Sequence, residues 1–490
     1  MLRFMDSFEF YSTADILKKY ALAGPAAVIS AGTGRRGGAS LRLPQSGVYA
    51  PVVRRPMGAN IQTVIVGFAV KFSAFSAAVP FLRFEDAGVG QVDITVTTGG
   101  NLRADRSDVA VLGTSASALT VGTYAYIEVK VKIASSPNGT VEVRVNGALF
   151  LLVTGVSTRV TANEFLNAIT FVGGSGAGPS IDVDDYYICD DTGTLNNTFR
   201  GDSRVDAFLP SGDDYTDFNP DTVNALTGTW TWAGPSLTVA ATDTSQVVAG
   251  DYIRLDSDGQ WFPIASINPN VSVTITNPRS LTIPSGATGS SRSSGHYTQV
   301  DDPTSPDPGA AVQTTLTGTH DATTTTITVA STSAFPAATA PNAVAGTIQI
   351  ENELITYTAK TGTTFTVATR GAFGSTPASH AGGVAVQLST FVQQSGLNAK
   401  DAYHVPNLAS ASQSIFGVQV NAATMKDDAG VKEIATIVHT SAGDAVGTNV
   451  ALGTAMTYLS QVHETQPVTL AAWTNGAFAD ATFGIKIVAT

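Results

Sequence analysis

Polar and apolar residues alternate most regularly in residues 120–190 of this chain. An alternation with period two is typical of a strand that buries one face and exposes the other to water. The runs with this pattern are 124–133, 140–147 and 181–188. The pairs Asn138-Gly139 and Asn146-Gly147 tolerate the positive φ angles that tight hairpins require. The pattern therefore predicts an antiparallel meander.

The same alternation recurs earlier in the chain. The runs are 64–72, 80–86 and 91–97. Together with the meander they predict about ten strands, spaced roughly a dozen residues apart, which is typical of a two-sheet sandwich or jelly roll.

One short helix is expected near the N-terminus, in residues 12–22. Ser12 and Asp15 fit an N-terminal capping pattern. Gly24-Pro25 would end this helix, so we expect about three turns.

Alternating runs continue through the rest of the chain in three groups, at 226–292, 314–387 and 390–490. Residues 285–308 are rich in Gly, Ser, Asp and Pro and are expected to be a connection. A hairpin turn is expected at 426–430.

Composition supports an all-β chain. Its 490 residues are enough for about three domains of ordinary size. Only 13% are charged and 47 are glycine, which is typical of strands joined by many turns. The net charge of −12 argues against nucleic-acid binding, because phosphate contacts need a surplus of Lys and Arg. Cys189 is the only cysteine, so we expect neither an intrachain disulfide nor a Cys-based zinc site.

The chain carries no apolar run of about 18 residues, so no membrane insertion is expected. Asp6 and Glu9 lie where a secretory signal would be apolar. We therefore expect no export signal and assembly in a cytoplasm.

Two short motifs have both a functional and an ordinary interpretation. Residues 32–37 match G-x-G-x-x-G, but a strand-like run follows at 38–44, so we expect a glycine turn instead of a dinucleotide site. Arg200-Gly201-Asp202 matches a cell-adhesion tripeptide. Adhesion would need an exposed loop and an animal receptor, so we expect an ordinary structural segment.

Two sets of residues could contact sugars. Trp230, Trp232 and Trp261 could form a stacking platform, although three tryptophans in a small domain more often form its core. Glu351 and Glu353 are two apart on a predicted strand and share a face, as a glycosidase pair might. An exposed strand face explains the two glutamates equally well.

Acidic residues cluster twice in the chain. Asp182, Asp184 and Asp185 could ligate a cation in a lectin, but strand alternation also explains the first two. The other cluster is Asp213, Asp214 and Asp217. It lacks the spacing of an EF-hand, so a solvated turn is expected.

Catalytic signatures are missing from the sequence. The six histidines lack the i, i+4 spacing of a helical metal motif, and neither a Gly-x-Ser-x-Gly elbow nor a P-loop occurs. Triads and carboxylate pairs form in space, so this absence is weak evidence. We expect no catalytic, cofactor-binding or metal-binding residues, no cofactor, and a protein that is not an enzyme.

Longer phrases resemble known families. The strand runs at 122–131, 141–147 and 181–188 resemble a concanavalin A-like (laminin G-like) lectin sandwich, over residues 1–195. The phrase at 4–11 is similar to the opening of bacteriophage virion proteins with this sandwich. Gly346-x-Ile-x-Ile-x-x-Glu-x-Ile-x-Tyr357, then Arg-Gly, then His-Ala-x-Gly, resembles a β module that recurs in phage tail and baseplate proteins.

The resemblance implies an all-β fold: an N-terminal jelly-roll, concanavalin A-like sandwich, small β modules and a C-terminal β-sandwich domain. Phrases at 199–210, 297–303 and 400–403 look like parts of one C-terminal phage virion domain. The implied domains are 1–195; a discontinuous domain of 196–225, 295–306 and 390–490; and inserted modules at 226–294 and 307–389. A simple row of consecutive domains is the alternative.

The implied function is a structural and adhesion component of a tailed-phage virion, such as a tail fibre, spike or baseplate protein. It would bind host-surface glycan or protein multivalently, as a homo-oligomer with a trimer favoured, next to other virion proteins. Two alternatives are a head-decoration or collar protein and a glycan depolymerase.

Overall fold

A computed structural model describes most of the chain. The described residues are 1–11, 13–24, 27–46, 48–174, 176–216, 219–220, 224–232, 237–249, 251–255, 261–276, 288–293, 313–335, 346–351, 353–372, 376–389, 392–393, 396–408, 414–426, 430–454 and 457–489. Ser12, Pro25, the phrase 297–303, most of the predicted connection 285–308 and the centre of the predicted turn 426–430 lie outside them.

The described chain forms two compact units. Unit 1 consists of Met1–Ala207, Ser414–Gln419 and Val462–Gln466. Unit 2 consists of Phe208–Gln413, Val420–Gln461 and Pro467–Thr490.

Between Met1 and Ala207, the described residues of unit 1 form fifteen strands and a short helical segment. The strands are β1 Leu2–Asp6, β2 Leu22–Ala23, β3 Val28–Ser30, β4 Ser40–Ser46, β5 Ala50–Ile61, β6 Thr63–Phe72, β7 Val79–Asp86, β8 Val89–Val96, β9 Asn101–Arg106, β10 Ala110–Ala118, β11 Ala125–Lys132, β12 Gly139–Val145, β13 Ala148–Val156, β14 Leu166–Gly173 and β15 Gly176–Asp190. They form two antiparallel sheets.

The eight-stranded sheet has the order β13-β12-β11-β6-β15-β4-β3, with β1 also pairing with β15. The seven-stranded sheet has the order β10-β9-β8-β7-β14-β5-β2. Their inward-facing side chains share one core, in which Phe68 contacts Phe81 and Phe171 edge to face. The predicted all-β sandwich is confirmed.

The meander prediction is correct for three strands only. β11 pairs with β12 and β12 with β13, and the turn between the last two has positive φ at Asn146 and Gly147. Gly139 instead begins β12, where an added Cβ would lie 2.5 Å from the carbonyl oxygen of Val156. β15 does not follow β13 in the sheet, because it pairs with β6 and β4.

The predicted N-terminal helix is much shorter than three turns. A 3-10 turn at Thr13–Asp15 leads into α1, Ile16–Lys19. Tyr20 is already extended, and β2 pairs with β5 two residues later. Pairing at the sheet edge therefore overrides the local helix preference.

Unit 2 and the segments beside it contain the remaining described elements. The strands are β16 Gly212–Thr216, β17 Asn219–Pro220, β18 Asn224–Ala225, β19 Trp230–Trp232, β20 Thr238–Ala241, β21 Tyr252–Leu255, β22 Trp261–Asn268, β23 Ser272–Ile275, β24 Gly289–Ser293, β25 Gln313–Thr315, β26 Thr326–Thr328, β27 Gly346–Ile350, β28 Glu353–Lys360, β29 Thr364–Thr369, β30 Ala385–Ser389, β31 Val392–Gln393, β32 Lys400–His404, β33 Val418–Thr424, β34 Glu433–Thr440, β35 Gly443–Val446, β36 Val450–Ala451, β37 Thr457–His463 and β38 Thr482–Ala489. One helix, α2, spans Asn475–Ala479.

Two small modules each have their own sheet and core. The first small module is the sheet β18-β24-β21-β22-β23-β20-β19, and the second is β25-β30-β27-β28-β29-β26. A further sheet has the order β16-β32-β38-β34-β35, and β17 pairs with β31. Strands before the first module thus pair with strands after the second, while the predicted domain boundaries stay predictions.

No helix within the described ranges is long and apolar enough to cross a membrane.

Candidate functional site

A row of charged side chains crosses the outer face of the seven-stranded sheet, and we call it the charge ladder. Its members are Arg54, Arg83, Glu85, Asp93, Arg103 and Asp105. Cross-strand pairing aligns four of them: Arg54 lies opposite Thr170, Thr170 opposite Arg83, Arg83 opposite Asp93, and Asp93 opposite Asp105. Glu85 and Arg103 each lie two residues along their strand from this row. The row therefore spans five adjacent strands, or about 19 Å at the usual strand spacing.

Each arginine of the charge ladder binds a carboxylate. Arg83 donates two hydrogen bonds to Asp93, at 2.7 and 2.9 Å, and these bonds raise the pKa of Arg83. The Nε of Arg54 lies 2.7 Å from Glu85.

The outer end of the ladder is built in the same way. Arg103 pairs with Asp105 at 2.8 Å. Asp105 also accepts a bond from Thr95, and Ser107 donates to Asp93. In all three pairs, the planar guanidinium group of the arginine matches the planar carboxylate that it binds.

Exposure differs between the two signs of charge on the ladder. The side chains of Glu85, Asp93 and Asp105 are 0%, 5% and 13% exposed. Those of Arg54, Arg83 and Arg103 are 29%, 17% and 31% exposed. The carboxylates thus form the floor and the guanidinium groups the solvent-facing layer.

Gln91 and Asp86 hold the loop 160–165 beside the ladder. The Gln91 amide oxygen accepts from the backbone N–H groups of Val160 and Thr161, and its nitrogen donates to carbonyls of the same loop. Asp86 accepts from Thr161 and Asn163. The loop therefore has a defined position at the edge of this face.

The ladder was not found by sequence reasoning. Its signal was visible in the sequence, as charged residues two apart on β7 (Arg83, Glu85) and β9 (Arg103, Asp105) and Asp93 between Val92 and Ile94 on β8. Alternation alone does not say which strands become neighbours.

A second polar centre lies on the outer face of the eight-stranded sheet, where β15 has a bulge. The register between β15 and β6 shifts after Asp184, and Asp185 adopts a φ of 51°. Bulges of this kind re-aim side chains. Asp184 accepts bonds of 2.7 Å from the backbone N–H groups of Arg35 and Asp185.

The carboxyl groups of this second polar centre have raised pKa values. Burial, with the adjacent charge of Asp185, raises the pKa of Asp184 to about 7. Burial also raises the pKa values of Asp185 and Glu9. A carboxyl group that retains its proton near neutral pH can act as an acid.

The glycine turn and the adhesion-like tripeptide meet at this centre. Residues 31–38 form the expected turn followed by a strand. Arg35 of the turn holds Asp202 through two bonds of 2.5 Å, while the backbone N–H groups of Arg200 and Gly201 donate to buried Glu128. The tripeptide is therefore engaged in internal contacts, as a structural segment would be.

The two candidate glutamates of the second small module have separate roles. Glu353 is buried on β28 and accepts two bonds from Arg370, at 2.7 and 2.8 Å. Glu351 lies in the turn before it, with a φ of 54°. His380 lies between them, with one ring nitrogen 2.8 Å from Glu351 and the other 2.7 Å from Glu353.

Glu353 is therefore a structural anchor. Burial alone would raise the pKa of Glu353, but bonds from Arg370, the Ala378 N–H and His380 lower it to about 2. A carboxylate that is ionised at neutral pH and held by several hydrogen bonds is a poor acid for glycoside cleavage. The residues of this sequence phrase thus form one internal network, because Arg370, Gly371 and His380 each contact Glu353.

The other sequence candidates are also accounted for by packing or pairing. Trp230, Trp232 and Trp261 are 2–4% exposed, so they do not form an exposed stacking platform. Asp182 pairs with Arg42 and Lys71.

In the predicted acidic turn, Asp214 accepts a bond from Thr482, while Asp217 and the side chain of Asp213 lie outside the described part. No group of three or more His, Cys, Asp or Glu side chains suited to a metal ion occurs among the described residues.

Comparison with known proteins gives structural neighbours only. No protein-family model and no curated protein matches the sequence. Similar solved structures include an endo-β-1,4-glucuronan lyase from the fungus Trichoderma reesei, with 12% identity, 33% of this chain and 85% of that chain covered, and a TM-score of 0.27. Others are alginate lyase Aly36B (14%, 38% and 96%, TM-score 0.28) and alginate lyase vAL-1 from Chlorella virus (11%, 37% and 99%, TM-score 0.29).

These neighbours correct one expectation. We expected a chain that is not an enzyme, and the comparison contradicts that expectation, because the similar solved structures include lyases and sialidases. Missing sequence signatures do not exclude an active site assembled in space from several strands. The likeness itself concerns the fold alone.

Proposed function

We propose that this chain is a polysaccharide-binding component of a tailed-phage virion, and that the outer face of the seven-stranded sheet contacts glycan on the host surface. The charge ladder is the observation that carries the proposal. It places arginine hydrogen-bond donors on β5, β7 and β9, three of five adjacent strands, where an extended polymer can lie.

The rigidity of the ladder supports binding. Each guanidinium is held by a carboxylate that is itself nearly buried, so little side-chain freedom remains to be lost when a ligand binds. Arg N–H groups that do not face the carboxylate are available to sugar hydroxyl or acidic groups. Weak sites of this kind gain strength when several copies act together.

Glycan binding by the full-length chain tests the proposal. The variant Arg83→Gln/Asp93→Asn removes the central pair without changing net charge, and a panel of bacterial surface polysaccharides is measured by biolayer interferometry. We expect at least about a tenfold loss of affinity, the effect of one charge-assisted hydrogen bond.

The matched control is Arg42→Gln/Asp182→Asn, which removes the equivalent bidentate pair on the eight-stranded sheet. It should bind as the wild type does. Equal binding by the ladder variant and the wild type would refute the assignment of this face.

The virion assignment has a separate test. It is supported by the resemblance of residues 1–195 and of the second small module to phage sequences. Mass spectrometry of purified particles should detect the chain, and imaging should place it on the tail. Many copies on the capsid would instead indicate head decoration, and particles without the chain would contradict both.

Glycan cleavage is a second candidate function, favoured by the pKa of about 7 at Asp184. A protonated carboxyl group can donate its proton to a leaving sugar oxygen. We expect the wild type to release new chain ends from a host polysaccharide and Asp184→Asn to release far fewer. Asp182→Asn, on the same strand, is the control. Equal release by Asp184→Asn and the wild type would exclude this role.

A further inference from the structure

We infer that the ligand of the charge ladder is an acidic, linear polysaccharide that lies across the strands, with its acidic groups against Arg54, Arg83 and Arg103. This inference rests on the proposed function and adds the chemical class and direction of the ligand.

The solvent-facing layer of the ladder is cationic. The three arginines are each exposed by 17–31%, whereas their partner carboxylates are exposed by 0–13%. A ligand approaching this face therefore meets N–H donors before it meets carboxylate oxygens. Acidic sugars accept such bonds through planar carboxylate or through sulfate groups, which match the guanidinium fork.

The arginines recur on alternate strands. Arg54 lies on β5, Arg83 on β7 and Arg103 on β9, and the sheet order is β9-β8-β7-β14-β5. Two strand spacings separate each from the next, or about 10 Å. Arg54 and Arg83 lie in one register row, and Arg103 lies two residues, or about 7 Å, along β9 from that row. A polymer that crosses the strands obliquely, with acidic groups at a similar interval, could contact all three.

The charges of the chain and of the ladder limit how an acidic ligand could be held on this face. The chain has a net charge of −12, and the three arginines of the ladder are balanced by its three carboxylates. An acidic ligand would therefore be held by directed hydrogen bonds to the exposed guanidinium groups and not by a net positive field. One exposed acid opposes this attraction: Asp108, 85% exposed, lies 3.5 Å from Arg83. Removing its charge should strengthen binding, which gives a variant with a gain of function.

The test compares two probes with the same backbone: polygalacturonate and its carboxyl-reduced form. Binding to the full-length chain is measured at low and at high salt. We expect polygalacturonate to bind at least about tenfold more tightly at low salt and to lose that advantage at high salt, because ions screen exposed charges. Asp108→Asn should raise the affinity for polygalacturonate roughly twofold.

The outcomes separate the two proposals. Equal binding of both probes, or a neutral polysaccharide bound through the same ladder residues, would overturn the acidic class and leave the proposed function standing. Failure to bind any glycan of the panel would overturn the proposed function itself. Binding of single-stranded DNA as tight as that of polygalacturonate would also overturn the inference, because the face would then be a general polyanion site. Asp108→Asn retains every ladder pair, so its result does not depend on a destabilised variant.

Discussion

Acid should loosen the second small module by protonating Glu353. In the folded chain its pKa is about 2, compared with 4.5 for an ordinary glutamate. Because the folded value is the lower one, the stabilisation is complete above about pH 4.5 and is lost as the pH falls through about 2. The difference corresponds to on the order of 3 kcal/mol, about half of which is lost near pH 3.

Hydrogen exchange measured by mass spectrometry on β27, β28 and β29 reports the local opening free energy. In the wild type it should fall by about 3 kcal/mol across this pH window. In Glu353→Gln it should be lower than in the wild type above about pH 4.5, because the buried Arg370 keeps only a neutral partner, and the two should converge as Glu353 of the wild type is protonated. It should also be flat across the window, because the titrating group is gone.

Asp321→Asn is the control within the same module. Its carboxylate is exposed, and hydrogen bonds from the Thr323 N–H and from Thr324 lower its pKa. This variant should keep the acid sensitivity of the wild type. If the wild type and Glu353→Gln instead lose protection in parallel below pH 4.5, the network around Glu353 is not its source.

Three further effects are expected. The pKa of Asp184 is about 7 in the folded chain and 3.8 ordinarily, so ionisation of Asp184 destabilises the fold increasingly from pH 4 to 7. Asp184→Asn should remove that loss of unfolding free energy, which reaches up to about 4 kcal/mol and is measured by denaturant titration. An unchanged pH profile in this variant would contradict the prediction. Trp230→Ala should destabilise the first small module by about 3–5 kcal/mol, measured by its exchange rates, without altering glycan binding. Gly67→Ala should lower the thermal stability of the sandwich by about 1–3 kcal/mol, because an added Cβ would lie 2.1 Å from the Tyr187 ring that positions its hydroxyl on Glu128; an unshifted melting temperature would show that the ring moves freely.

Much of the fold could be predicted from alternation and turn chemistry. The all-β class, the hairpins around β12, the glycine turn at 31–38 and the buried tryptophans all follow from local patterns. Each of these features depends on neighbours within a few residues, or on the apolar character of a single side chain.

The candidate sites could not be predicted in the same way. Arg54 and Glu85 are 31 positions apart, and Arg35 and Asp202 are 167 apart. Their approach depends on which strands pair and in which register. The glycine turn and the tripeptide each looked like a chance motif, and only folding places Arg35 against Asp202.

The sequence by itself determined the strands, because a period-two pattern defines one buried and one solvent-exposed face, whichever segments pair with the strand. It also determined the acidic charge of the chain and the apolar core positions. Only the tertiary structure decided which polar faces become sites. The order of strands brought three arginines onto one face of the sheet. A bulge turned Asp185 towards Val205, and burial raised the pKa values of Asp184 and Asp185.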